Sequence, residues 1–226
     1  MSAQRRITKR DMKEDKLVTA TFQVTEYVQN HKQHFIIGLA VIISIAAIAY
    51  FISVSNANKN AEAVISLGTG DFSLLKGDIP SAIAEYEQTK ADYGNTLSGR
   101  KAYILLGKSL ANTGEYLRAK EIFVEYIDNF ANKEPILLYR AALAGAALTS
   151  KNLGETAEAA EYYIKASEQS MDELEKGYFL LDAARCYAEI GERDKAIEIY
   201  TQLEKAYERK KIGILAKGEI WDVKTN

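Results

Sequence analysis

The sequence predicts an all-α protein: a single N-terminal transmembrane helix followed by an α-solenoid of about four helical hairpins and a C-terminal capping helix. Three observations predict it: an uncharged run near the N-terminus, glycines that return every 37 to 40 residues with the same companions, and only two prolines, Pro80 and Pro135, in 226 residues. With so little proline among Ala, Leu, Glu and Lys, helix is favoured nearly throughout.

The uncharged run is Phe35 to Val54, FIIGLAVIISIAAIAYFISV. At about 1.5 Å per residue it spans roughly 30 Å, the thickness of a bilayer's hydrocarbon core. A buried helix of a water-soluble protein would show a polar face, and this one shows none. Tyr50 and Phe51 stand near its far end, where aromatic rings favour the membrane interface. Arg5, Arg6, Lys9, Arg10, Lys13, Lys16 and Lys32 precede the run, whereas only Lys59 and Lys76 fall soon after it. The positive-inside rule therefore expects the N-terminus in the cytoplasm and the remainder across the membrane. A cleaved signal peptide competes, since Ser55-Asn56-Ala57 offers small residues for a peptidase. The long basic region and the long apolar core favour an uncleaved signal anchor instead. No cysteine stands just after the run, as a lipid-modified N-terminus would need. The expected division is a cytoplasmic tail over 1–34, the anchor over 35–54 and an extracytoplasmic domain over 55–226.

The tail carries Leu17, Val18, Phe22, Val24, Tyr27 and Val28 among polar residues. This spacing suits an amphipathic helix on the inner leaflet. A partly ordered tail whose basic residues only fix topology suits it equally, and the first dozen residues read as disordered.

Beyond the anchor, four segments share one pattern: glycine, an acidic residue, alanine five after the glycine, and an aromatic four later. They are Gly77-Ala82-Tyr86, Gly114-Ala119-Phe123, Gly154-Ala159-Tyr163 and Gly191-Ala196-Tyr200, with Asp78, Glu115, Glu155 and Glu192 following the glycines. Successive glycines lie 37, 40 and 37 residues apart. A glycine that ends one helix in the left-handed conformation, an acid near the positive end of the next, and an alanine permitting close approach describe a helix-turn-helix unit. One such hairpin cannot bury its apolar face alone, so several must stack. First helices are marked by Tyr103, Leu106, Gly107 and Leu110, by Leu143, Ala146 and Ala147, and by Leu180, Ala183, Ala184 and Tyr187. The first helix of the first unit, roughly 56–76, contains Gly68 and Gly70 and could run on from the anchor. Residues 211–224, with Ile214, Leu215, Ile220 and Trp221, read as the cap.

These units resemble the tetratricopeptide repeat family: Leu106-Gly107, Gly114, Ala119 and Phe123 fall on its signature positions, as do Ala183-Ala184, Gly191, Ala196 and Tyr200. The spacing exceeds the usual 34, which leads one to expect longer turns between units. A basic tail, an amphipathic stretch, one anchor and repeats opening with AEAVISLGTGDFSLLKGDIPSAIAEYEQTKADYGNT further resemble the YfgM-like family of ancillary translocon subunits. That resemblance implies an inner-membrane protein with a periplasmic repeat domain. Its implied partners are the SecYEG channel of the Sec translocon and a membrane-anchored periplasmic chaperone. It also implies inward-facing positions on the first helices: Lys101, Ile104, Lys108 and Ala111, then Ala141, Ala144, Leu148 and Lys151, then Tyr178, Leu181, Arg185 and Ala188. This mixed apolar and cationic set would hold a peptide with acidic side chains or a terminal carboxylate. The lysine-asparagine carboxylate clamp of some relatives is not reproduced, since Leu105 and Lys108 occupy the relevant places.

The remaining residues offer no chemistry. Net charge is -2, without the basic excess of a nucleic-acid binder. His31 and His34 sit at the membrane edge, and Cys186 lies among small apolar residues as a buried thiol would. Gly68-Thr69-Gly70 lacks the third glycine of a dinucleotide loop. Gly213 to Gly218 has phosphate-loop spacing, but Glu219 stands where lysine is needed. Carboxylate pairs such as Glu85 and Glu87, or Glu158 and Glu161, read as solvated faces. The reading is of a protein-interaction module rather than an enzyme, with no cofactor, metal or small-molecule substrate.

Overall fold

The computed structural model describes residues 31–131 and 135–225. The tail's amphipathic stretch and its first dozen residues lie outside these. Among the described residues the elements are α1 (Lys32–Leu75), α2 (Ile79–Tyr93), α3 (Leu97–Asn112), α4 (Tyr116–Phe130), α5 (Ile136–Asn152), α6 (Thr156–Glu168), α7 (Glu173–Glu189), α8 (Arg193–Ala206) and α9 (Lys211–Thr225), with no strand.

The chain divides into residues 1–56 and 57–226. In the first unit, α1 is apolar on every side, with an 18-residue stretch of mean hydropathy 2.8 and none of it buried. Ile37, Ile42, Ile45, Ile48 and Phe51 all stand bare. This helix is long and apolar enough to cross a membrane. Its one hydroxyl near the middle, on Ser44, donates to the Ala40 carbonyl at 2.8 Å, which satisfies it inside the helix.

In the second unit the end of α1 meets α2 through Ser66–Thr89, Asp71–Tyr86 and Gly70–Tyr86, while α3 pairs with α4, α5 with α6 and α7 with α8, and α9 packs on α8 and touches α7. Every hairpin turns in the same way. Gly77, Gly114, Gly154 and Gly191 have φ of 78°, 83°, 80° and 82°. The amide after each glycine donates back five residues: Asp78 to Ser73, Glu115 to Leu110, Glu155 to Ser150 and Glu192 to Tyr187, each at 2.9 Å. The glycine amides donate to Leu74, Ala111, Lys151 and Ala188. This is the Schellman closure, which satisfies the last helical carbonyls and needs a residue tolerant of positive φ.

The acidic residues after the glycines do different work. Only Asp78 caps its helix with its side chain, accepting from the Ser81 amide at 3.2 Å and the Ser81 hydroxyl at 2.7 Å. Glu115, Glu155 and Glu192 make no side-chain cap. They pair instead with Arg118, with Lys120 at 2.6 Å and with Lys195 at 3.5 Å, because the extra methylene carries the carboxylate beyond the helix start. Most of the excess over 34 lies in the helices, although the 40-residue interval also contains the longest connection. The connections between units are 94–96, 131–135, 169–172 and 207–210, and the extra residues lengthen helices that run from 13 to 17 residues.

Ala82, Ala119, Ala159 and Ala196 are wholly buried at the crossing of each pair, and Tyr86, Phe123, Tyr163 and Tyr200 fill the space beside them. The core falls into two clusters, one centred on α2–α5 and one on α5–α9, with Tyr162 packed against both. Several core tyrosines reach a carboxylate: Tyr86 donates to Asp71 at 2.6 Å, Tyr103 to Glu125 at 3.2 Å and Tyr187 to Glu161 at 2.9 Å. Cys186 is buried, and that burial pushes its thiol pKa up.

Burial, followed by neighbouring carboxylates, raises Tyr103, Tyr163 and Tyr187 from the ordinary value of 10 up to about 12. The folded protein therefore holds these protons more tightly than the unfolded chain, and stability is lost as pH rises from 10 to about 12. Each such group contributes up to about 1.4 kcal/mol per pH unit in that window. Thermal melts should show a flat Tm through neutral pH and a fall above pH 10, and Tyr187→Phe should shallow that fall.

Candidate functional site

A cleft of about 280 Å³ opens where α3, α5 and α7 meet. Its floor is the Phe123 ring from α4, with Gly145 of α5 beside it. The ring reaches through because two first helices lack a side chain there. A Cβ on Gly107 would lie 2.6 Å from Phe123 Cζ, and one on Gly145 would lie 2.4 Å from the same atom. The walls are apolar: Leu137, Ala141, Ala144 and Leu148 from α5, and Phe179 from α7.

The rim is cationic. Neither α3 nor α5 contains an aspartate or glutamate. Lys108 stands on the rim, exposed, with no ion pair among the described residues. The cleft's one carboxylate, Glu175, is taken up by Arg140 at 3.0 Å, and Arg140 also donates to the Gln169 carbonyl at 3.2 Å. An apolar trough with a free ammonium at its edge is suited to an apolar segment carrying a carboxylate.

The inward positions named from the sequence fare differently. Lys108 and Leu148, the latter 50% exposed, come together in the cleft with Ala111, Ala141 and Ala144. Lys101 is exposed on α3 outside it. Ile104 and Leu181 are buried, at 5% and 1% exposure, so they support the helices from beneath rather than meet a ligand. Tyr178 is exposed on α7 but does not line the cleft. Lys151 pairs with Glu189 at 3.5 Å. Arg185 is engaged by the cap, with Nε and Nη2 donating to Glu219 at 3.0 and 2.8 Å and Nη1 to Asp182 at 3.3 Å. Burial works against the Arg185 charge, but those two carboxylates more than offset it and raise its pKa.

The repeat pattern in the sequence assigns Phe123 to hairpin packing alone, and it singles out neither Leu137 and Phe179 nor the Arg140–Glu175 pair. One sequence signal lies there: Gly107 and Gly145 each stand inside a first helix, where helix propensity alone would favour alanine. His31 and His34, with ring centroids 6.0 Å apart, are exposed at the start of α1. Among the described residues no group of His, Cys, Asp or Glu is arranged to hold a metal. Gly68-Thr69-Gly70 and Gly213–Gly218 lie inside helices, not in phosphate-binding loops.

Residues 178–208, most of α7 and all of α8, match the family model of the tetratricopeptide repeat. No curated protein sequence matches the chain. Solved structures match the fold. A tetratricopeptide repeat protein from Parabacteroides merdae aligns with TM-score 0.60 at 14% identity, over 72% of this chain and 60% of that one. The nearly identical TPR-like repeats of a Podosopora anserina protein assigned to the kinesin light chains align with TM-score 0.58 at 15% identity, over 72% and 85%. PilW, a type IV pilus biogenesis factor, aligns with TM-score 0.54 at 18% identity, over 68% and 66%. The chain thus carries a match to the tetratricopeptide repeat at 178–208 and folds as a solenoid of that kind, with no catalytic family indicated.

Gly145→Ala tests how the cleft floor is built. Helix propensity alone would favour alanine by about 1 kcal/mol. Phe123 is only 1% exposed and its ring tip is bounded by two helices, so it has little room to yield. The substitution should therefore destabilise by roughly 1–3 kcal/mol, measured by chemical denaturation, whereas Gly218→Ala in α9, where a Cβ meets nothing within 4 Å, should be neutral or stabilising.

Proposed function

We infer that the protein is a membrane-anchored adaptor whose repeats capture an apolar, carboxylate-bearing polypeptide segment in the cleft between α3, α5 and α7. The observation that carries this reading is the pairing of an apolar trough with the unpaired Lys108 on its rim. Repeat scaffolds of this kind act by presenting such surfaces to protein partners.

The apolar half of α1 supports an anchor over 35–54, and the excess of basic residues before it supports a cytoplasmic N-terminus with residues 55–226 in the periplasm. With the resemblance to YfgM-like proteins, this favours an ancillary subunit of the Sec translocon that links SecYEG to a periplasmic chaperone or to emerging substrates. A second reading, a scaffold in another envelope assembly, draws on the likeness in fold to a pilus biogenesis factor.

Partners recovered from native membranes in mild detergent separate the two. Translocon subunits recovered with the full chain, and lost when residues 1–34 are deleted, would support the first and assign the tail a docking role. A different envelope complex recovered equally by both would overturn it. Within the repeats, Lys108→Glu should lower partner recovery several-fold by repelling a carboxylate. Leu148→Asp should lower it roughly tenfold or more by placing a charge in the trough. Circular dichroism should be unchanged for both, and undiminished recovery with either would remove the cleft from the reading.

A further inference from the structure

The part of α1 that belongs to the repeat unit buries only one face. Ala63 and Gly70 are buried, Gly70 beside the Tyr86 ring of α2, Ser66 Oγ shares a hydrogen bond of 2.7 Å with Thr89 Oγ1, and Asp71 accepts from Tyr86 at 2.6 Å. The opposite face is bare and apolar. Ala61, Ile65, Gly68, Phe72 and Leu75 follow one another at steps of four, three, four and three residues, and all are exposed. Ile65 is 71%, Phe72 57% and Leu75 85% exposed, with Val64 beside them at 55%. A solenoid end left in this state is an unmet surface, because terminal repeats need a covered or polar outer face. The alternating step is that of a two-stranded coiled-coil seam, with Ile65 and Phe72 at a positions and Ala61, Gly68 and Leu75 at d positions.

We propose that this face pairs with the same face of a second copy of the chain as a parallel two-stranded coiled coil. Direction, charge and register together select a second copy. The apolar span lies on the same helix, so, on the reading that it crosses the membrane, two copies in one bilayer present α1 in the same direction. In a parallel pair a g position faces the e′ position five residues on. Here Asp71 meets Lys76 of the other copy, and two-fold symmetry repeats the opposite-charge contact. Lys76 already leans over the Phe72 ring at 4.1 Å, beside the seam. Asn58 occupies the preceding a position, where a polar residue specifies register and pairing. Gly68, with open space around its missing Cβ, lets the two backbones approach. In the sequence the same register continues upstream through Val54, Phe51, Ala47, Ser44 and Ala40. The face is separate from the cleft, and neither depends on the other.

The full chain in detergent micelles should sediment as a dimer. In a Cys186→Ala background, Gly68→Cys should form an intermolecular disulfide under mild oxidation, while Lys59→Cys, on the far side of the helix, should not. Ile65→Glu and Phe72→Glu should each weaken the dimer at least about tenfold by burying like charges across the seam, with helicity unchanged. Lys76→Glu, at an exposed site, should weaken it less and without effect on folding. A monomeric full chain would overturn the proposal, as expected if lipid or another protein covers this face. So would a dimer that resists both glutamates, or one that leaves Gly68→Cys uncross-linked.

Discussion

Each hairpin of the repeat domain turns on a glycine held near φ 80°, with the next amide closing on a carbonyl five residues back. The left-handed conformation costs an ordinary residue roughly 1–2 kcal/mol. Glycine removes that cost, and the two backbone bonds cap the first helix without help from a side chain. Because all four turns share one geometry, each alanine five residues on arrives at the same helix crossing, and each aromatic lands beside it. The stacking of units, the surface left between first helices and the docking of the cap follow from that repeated turn.

Electrostatics then varies from unit to unit. On the second helices, ladders of opposite charge link neighbours: Arg118 reaches Glu87 at 2.6 Å, and Lys120 reaches Glu155 at 2.6 Å. On the first helices the pairs run from α5 to α7 and from α7 to α9, through Arg140–Glu175, Lys151–Glu189 and Arg185–Glu219. Between α3 and α5 no such pair can form, because neither helix has an acid. Lys108 is left available for that reason, beside an apolar trough whose floor is a single phenylalanine ring. Exposed ion pairs contribute little to stability singly. Their distribution still decides where the surface offers a cation to something else.

Two apolar surfaces therefore remain open for different reasons. The cleft exists because two glycines, Gly107 and Gly145, let a ring from the second helix come through to the first-helix side. The bare face of α1 exists because, among the described residues, no helix packs on it, whereas at the other end α9 covers α8 and ties Arg185 to Glu219. One surface is a trough with a charged edge, suited to a segment of another chain. The other is a straight seam with self-complementary flanks, suited to its own copy.

The sequence by itself determined the helical class, the apolar span and the number and phase of the hairpins, because these depend on local terms: hydropathy over a fixed length, proline scarcity, and a glycine at every turn. It also located the buried alanines and aromatics, since their spacing from the glycine is set by one helical turn. Only the tertiary structure decided which inward positions are surface. Ile104 and Leu181 share the register of Lys108 and Leu148 yet are buried, and Arg185 is consumed by a carboxylate 34 residues away. It likewise decided that the glutamates after the turn glycines act as ion-pair partners rather than caps, and that Phe123 floors a cleft. Those outcomes depend on which side chain of one unit meets which of the next. That is a matter of packing between segments distant in sequence, and periodicity within a helix does not encode it.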